Sequence, residues 1–368
     1  MSFVVHHDVE LAQRTTFGVG GRARTLVSVW DPRALPEVVS RFGPVRVLGG
    51  GSNVLVADEG VAETLIHLLP SAPERAGGHS TAEAGLTCEV ESHTVRLHAA
   101  AGMRWDDVVA YSVQRGWQGL ECLSGIPGTV GAAPIQNIGA YGQEVADVVE
   151  AVEVYDLGHG SPRSLPAAEC GFGYRTSRFK GQESQPPRAG EAGPFVVTGV
   201  RLRLKADAPG CTRYRDVAER LPEGGSVASV RAAVLEVRYA KGMLVHPALG
   251  TDARSAGSFF VNPVVPDAVA ERITATHPDI PSWRASASAV KLSAAWLIER
   301  AGIARGYRRG RAAISSRHTL ALTALDGATA AEVVALGREV RARVLAAFGI
   351  SLDPEPVLLG FYSDVWAS

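Results

Sequence analysis

The sequence predicts an α+β fold of more than one domain, on three observations. The chain has 368 residues, more than one hydrophobic core usually serves. Residues 11–68 alternate short apolar runs with glycine turns, whereas from Val227 onward apolar residues recur at helical spacing. Two glycine-rich runs, Val47–Asp58 and Ser124–Gly142, punctuate the first part.

The elements follow in order. Val45–Leu48 reads as a strand ending in Gly49, Gly50 and Gly51, with further strands at Val54–Val56 and Thr64–Leu68. This is a βα-type start, with a loop at the strand's C-terminal end, where α/β folds bind ligands. The polar stretch Pro70–Ser92 predicts surface loops, and Val95–Ala99 a strand. Trp105–Gln114 predicts a helix, because Val108, Val109 and Val113 share a face and Asp106 and Asp107 sit in the first turn. Strands are expected at Val148–Tyr155 and at Phe195–Leu204, where apolar residues alternate. Between them Gly181–Gly193 reads as a hairpin tip or insertion. Val227, Val230, Val234 and Val237 mark one helix, and Lys291–Ala301 a second closed by Gly302. Thr329 and Glu332 form a capping box opening a third, which ends at Gly349. A short strand begins at Val357.

Composition narrows the function. A formal net charge of −1 argues against a nucleic-acid binder. Cys88, Cys122, Cys170 and Cys211 form no C-x-x-C pair, so no metal site is expected, and their scatter fits a reducing compartment. The N-terminus lacks a basic segment followed by an apolar core, and no apolar run approaches the roughly 20 residues of a membrane span. A soluble, cytoplasmic protein with no membrane partner is expected.

Ser124–Gly142 holds five glycines and two prolines. Glycine lets backbone N–H groups approach a ligand, and successive N–H groups form an anion-binding concavity. Two such loops suit a long phosphorylated ligand such as a dinucleotide; tight turns within a sheet are the bland alternative. Neither loop fits G-x-G-x-x-G between strand and helix, and neither ends in G-K-[ST], which weakens a Rossmann reading and excludes a P-loop. Arg175, Ser258 and Glu355 are dispersed, and each alone reads equally as surface or turn. Glu355 lies between two prolines that keep it out of a helix and present its carboxylate.

Together, TTFGVGG, VLGGGSNVLV, LSGIPGTVGAAPIQNIGAYGQE, YRTSRFK, GSFFVNPVV, KLSAAWLIERAG, SSRHTLAL and DPEPVLLG resemble the UDP-N-acetylenolpyruvoylglucosamine reductase family. The blocks run in family order from Thr15 to Gly360. The resemblance implies a two-subdomain FAD-binding fold of the vanillyl-alcohol-oxidase type plus a separate substrate-binding domain. The implied boundaries are 1–68 with a return at 350–368, then 69–207, then 208–349.

It further implies reduction of the enolpyruvyl ether of UDP-N-acetylglucosamine to UDP-N-acetylmuramate, for peptidoglycan, with noncovalent FAD and with NADPH as co-substrate. Arg175, Ser258 and Glu355 match the catalytic trio. Hydride addition at C3 leaves charge on C2 and its carboxylate. Arg175 suits that carboxylate, a protonated Glu355 would donate to the same group, and Ser258 would protonate C2. The cofactor contacts carried over are Gly49, Gly50, Gly51, Ser52, Asn53, Ser124, Gly125, Ile126, Pro127, Gly128, Gly131, Asn137, Gly139 and Tyr141. Tyr214 and Lys241 match residues that touch the uridine diphosphate, and Asn262 lies in the same block as Ser258. Arg305, Arg308, Arg309 and Arg311 read as a solvated loop that could also attract an anion. Asp353 stands where many relatives carry Glu, one acid before the catalytic position.

Two other classes share these features. A flavin oxidase would need a different substrate domain, against GSFFVNP and the Glu355 tail. A non-catalytic nucleotide-binding protein should have lost part of the trio. The chain offers no outstanding exposed apolar face, so a monomer is expected.

Overall fold

The computed structural model describes residues 2–72, 85–180 and 195–366. The chain forms two compact units. The first comprises 1–10, 22–51 and 61–240, and the second 11–21, 52–60 and 241–368. Residues 208–240 therefore cluster with the first unit.

Among the described residues the first unit holds a four-stranded sheet, a five-stranded sheet and the short antiparallel pair Gly139–Ala140 with Gln143–Glu144. The four-stranded sheet has the order Phe3–Glu10, Arg22–Val29, Thr64–Leu68, Val45–Val47; its first pair is antiparallel and the others are parallel. The helix Leu35–Phe42 packs Leu35 and Val38 against Val27, Val29, Val45 and Ile66. The five-stranded sheet is antiparallel, in the order Ser161–Pro166, Val149–Asp156, Phe195–Lys205, Thr94–Ala100, Leu86–Glu91. The helix Trp105–Gln114 buries Trp105, Val108, Val109 and Val113 in a cluster with Val95, Leu97, Val152, Val200 and Leu202. Polar residues line the opposite face, where Glu153 joins His98 and Arg201. This is the alternation of a half-solvated antiparallel sheet.

The second unit has its own core, in which Phe17, Leu55, Phe259 and Phe260 join apolar faces of the helices Asp267–Thr276, Ala294–Arg300 and Ala330–Phe348. Two three-stranded sheets and the parallel pair Val54–Val56 with Val357–Leu359 complete it. Thr329 and Glu332 cap the long helix reciprocally, and Gly349 ends it in the left-handed conformation, as the sequence predicts.

Three expectations change. Residues 86–91 form a strand rather than loop. It is an edge strand exposed on both faces, so the alternation of Leu86, Cys88 and Val90 with polar residues marks no buried face; residues 73–84 of that stretch lie outside the described residues. The helix expected from Lys291 begins at Ala294, because Lys291 and Leu292 pair with Val264 and Ser282, and Ser293 caps the helix through Trp296 N–H. The Gly49–Gly51 loop leads into Val54–Val56, not into a helix. The hairpin Phe3–Glu10 with Arg22–Val29 is additional. Gly181–Gly193 lies outside the described residues.

Candidate active site

In the first unit the two glycine loops lie backbone against backbone. A Cβ built on Gly50 would sit 2.6 Å from Gly128 Cα, and one on Gly49 3.0 Å from Thr129 Oγ1. A Cβ on Gly131 would lie 2.7 Å from Ala101 Cβ. Glycine is thus required here for close approach. Gly49, Gly50 and Gly51 present successive N–H groups that no acceptor among the described residues takes. Such a row of donors fits a pyrophosphate, so the residues present are compatible with the diphosphate of FAD.

The second loop is held from beneath. Glu121 is fully buried, and its carboxylate accepts from Gly119 N–H at 2.7 Å, Cys211 N–H at 2.9 Å and Gln143 Nε2 at 3.0 Å. Gln143 in turn accepts from Cys122 N–H, and Ser124 Oγ donates to Glu121 O. Trp105 N–H donates to Gly128 O, and the Trp105 indole to Leu123 O. Ile126 packs on the sheet core.

The far end of this loop carries unusual backbone. Asn137, Tyr141 and Arg175 have φ of 47°, 49° and 53°. Non-glycine residues rarely adopt that region, and they do so disproportionately at functional sites. Arg175 donates to Gly139 O at 2.8 Å and Asn137 O at 3.5 Å, so its guanidinium lies over the loop end. Asn137 is buried and uses its amide on Glu144, Gly173 O and Ala146 N–H. Tyr141 and Tyr214 meet edge to face at 5.3 Å, and Tyr214 is exposed.

In the second unit the segments that carry Ser258 and Glu355 pair through their backbones. Glu355 N–H donates to Phe259 O at 2.8 Å, Phe260 bridges Pro354, and Val261 N–H donates to Asp353 O. The Ser258–Asn262 and Asp353–Glu355 segments therefore run side by side, fixed by buried Phe259 and Phe260. Asn53 Nδ2 donates to Glu355 O at 3.3 Å, and Val357 N–H to Asn53 O at 2.9 Å. Ser52 precedes this anchor. Ser258 and Glu355 are both half-buried. Asp353 is exposed and contributes its carbonyl to this pairing. Asn262 Oδ1 accepts from Ala294 N–H and so docks the following helix. Of the arginine cluster, Arg309 pairs with Glu339 and Arg311 donates to Gly327 O.

His318, close to Lys241, was not singled out in the sequence. Burial, with the Lys241 and Arg305 cations near it, holds its imidazole down at about 4, and its Nδ1 accepts from Leu320 N–H. Asp252 likewise escapes sequence reading; it gathers Ser315 Oγ, Ser316 N–H and Ser316 Oγ. His318 lies within the SSRHTLAL block, whereas Asp252 lies outside every block that carries the resemblance. Among the described residues no group of three or more His, Cys, Asp and Glu could hold a metal ion. No helix there is long and apolar enough to cross a membrane.

Residues 33–165 match the family model described as "FAD binding domain". With the α+β architecture above, this makes the protein an FAD-dependent oxidoreductase. Residues 249–359 match "UDP-N-acetylenolpyruvoylglucosamine reductase, C-terminal domain". The reductase of that name from Thermobifida fusca is 44% identical over 371 residues, covering 96% of this chain and 97% of that protein. The one from Salinispora arenicola is 40% identical, covering 96% of each. The crystal structure of UDP-N-acetylenolpyruvylglucosamine reductase from Thermus caldophilus aligns with TM-score 0.64 at 29% identity, covering 97% of this chain and 99% of that one. The chain belongs to the UDP-N-acetylenolpyruvoylglucosamine reductase family.

Proposed function

We propose that this protein reduces the enolpyruvyl ether of UDP-N-acetylglucosamine to the lactyl ether, UDP-N-acetylmuramate, for peptidoglycan precursor synthesis. Bound FAD supplies the hydride chemistry, between NADPH and C3 of the enolpyruvyl group. The observation that carries the reading is the pairing of the Ser258 and Asp353–Glu355 segments by Glu355 N–H and Phe259 O. It sets a hydroxyl and a carboxyl on neighbouring strands of backbone, rigidly held by a phenylalanine core.

Ser258 gives its proton to C2 once negative charge has developed there; the carbanionic centre is a strong base, which compensates for the weak acidity of a hydroxyl. Glu355 in its protonated form donates to the substrate carboxylate. Arg175, with a permanent charge and a planar fork, stabilises the same carboxylate as it becomes enolate-like. Its positive φ supports a constrained, preorganised role. Gly49–Asn53 and Ser124–Tyr141 hold the cofactor, and Tyr214, Lys241 and Asn262 serve the nucleotide. The substrate-binding domain spans 208–349, and the enzyme works as a cytoplasmic monomer.

The test is NADPH oxidation by the FAD-loaded protein. It should require the enolpyruvyl sugar nucleotide; turnover driven by oxygen without that substrate would favour an oxidase and refute the reading. Ser258→Ala should leave the NADPH half-reaction intact and stall substrate reduction. Equal loss in both halves would remove Ser258 from the proton-donor role.

A further inference from the structure

The Ser124–Gly128 turn is tied to the protein by one ion pair that the family motifs do not include. Asp106, in the first turn of the helix Trp105–Gln114, accepts from Gly125 N–H through Oδ1 at 2.6 Å. The same carboxylate takes a two-pronged contact from Arg231, Nη1 to Oδ1 at 2.7 Å and Nη2 to Oδ2 at 2.8 Å. Arg231 stands on the helix Val227–Ala240, next to buried Val230. Its side chain is 18% exposed and that of Asp106 30%, so solvent screens the pair only in part.

The geometry has a direct consequence. A bidentate guanidinium fixes a carboxylate in plane, and its orientation then follows the arginine. The oxygen that receives Gly125 N–H is one of the two so fixed. Gly125 has φ 71°, a conformation glycine reaches without penalty but does not by itself prefer over others. The acceptor therefore selects it. Burial alone would push the Asp106 carboxyl up; Arg231 and Gly125 N–H outweigh it and hold it below the ordinary value, so the acceptor stays ionised at neutral pH.

We propose that Arg231 and Asp106 are positioning residues for the flavin: Arg231 orients Asp106, Asp106 fixes Gly125, and the turn so set determines cofactor affinity and flavin environment. This rests on the reading that the Ser124–Gly128 turn grips FAD. It adds a helix remote in sequence to the determinants of that grip.

The experiment compares wild type, Arg231→Lys, Arg231→Met and the double variant Asp106→Asn/Arg231→Met. Apoprotein of each is titrated with FAD by fluorescence quenching, the bound flavin's visible spectrum is recorded, and apoprotein melting is followed by circular dichroism. Arg231→Met should weaken FAD binding about tenfold or more and shift the flavin absorption bands, with Arg231→Lys intermediate, because an ammonium cannot hold both oxygens. The double variant removes the unpaired carboxylate, so its melting should return toward wild type while affinity and spectrum stay altered. A purely structural ion pair would instead regain all three together, which overturns the proposal. FAD binding within twofold of wild type in Arg231→Met also overturns it. Gly128→Ala, strained at φ 122°, separates the two levels. If it destroys FAD binding while Arg231→Met does not, the positioning role alone fails. If neither affects FAD, the assignment of the turn to the flavin fails with it.

Discussion

Replacing Gly50 by alanine tests the apposition of the two glycine loops. The new Cβ would meet Gly128 Cα at 2.6 Å, Gly128 C at 3.1 Å and Gly128 N at 3.4 Å. Ordinary carbon contacts lie at about 3.5–4.0 Å, so the loops must separate by roughly 1 Å. The obstacle is main chain and cannot rotate aside, so the strain falls in the range of about 1–3 kcal/mol expected for overpacking. Any equilibrium that needs both loops in place then weakens by about 5- to 150-fold. FAD titration of the apoprotein measures that equilibrium, with thermal melting beside it. Gly43→Ala is the control: its Cβ meets nothing within 4 Å, though its φ is +73°. It should lower stability through backbone strain and leave FAD affinity unchanged. Gly50→Ala protein that melts and binds FAD like wild type would refute the claim that this contact is tight and needed.

Three further outcomes are expected. The His318 imidazole is held at about 4 against an ordinary 6.5. The folded chain therefore binds fewer protons than the unfolded one between these values, so stability is complete above pH 6.5 and falls as pH drops toward 4. At pH 5 the loss is about 2 kcal/mol; urea denaturation of His318→Gln at pH 5 and 7 should lack it, and an unchanged pH slope would exclude His318 as its source. Glu121→Gln places an amide NH₂ against N–H donors in a site with no solvent, and should cost about 2–3 kcal/mol in denaturant unfolding. Thr329→Ala removes the side-chain half of a capping box and should cost about 1 kcal/mol; a loss below a few tenths would show that Glu332 alone suffices to cap that helix.

What was legible in the sequence is what backbone chemistry writes locally. The helix at Trp105–Gln114 and the cap at Thr329 depend on residues within a few positions, and both stand where the pattern put them. The glycine loops were equally legible, because close approach of main chain admits only glycine and so forces its use. Ser258 and Glu355 came from motif resemblance, and nothing in their local pattern predicted the backbone hydrogen bond that makes their segments neighbours.

The unread part is chemistry whose partners are far away along the chain. Glu121 looks like a solvated acid beside a turn, yet its carboxylate is buried by a donor 90 positions on. Arg231 looks like the polar face of a helix, yet it meets Asp106 across 125 positions. The strained φ at Asn137, Tyr141 and Arg175 has the same origin. Each residue carries an ordinary side chain and would relax on its own; Arg175 is drawn toward the loop by Gly139 O and Asn137 is locked by Glu144 and Gly173 O. Local sequence thus declares where the backbone can approach a ligand, and long-range polar contacts decide how firmly it is held there. If that division is right, variants at the glycines should weaken FAD binding by forcing the loops apart, and variants at Glu121, Asp106 and Arg231 should weaken it by releasing loops that can still approach.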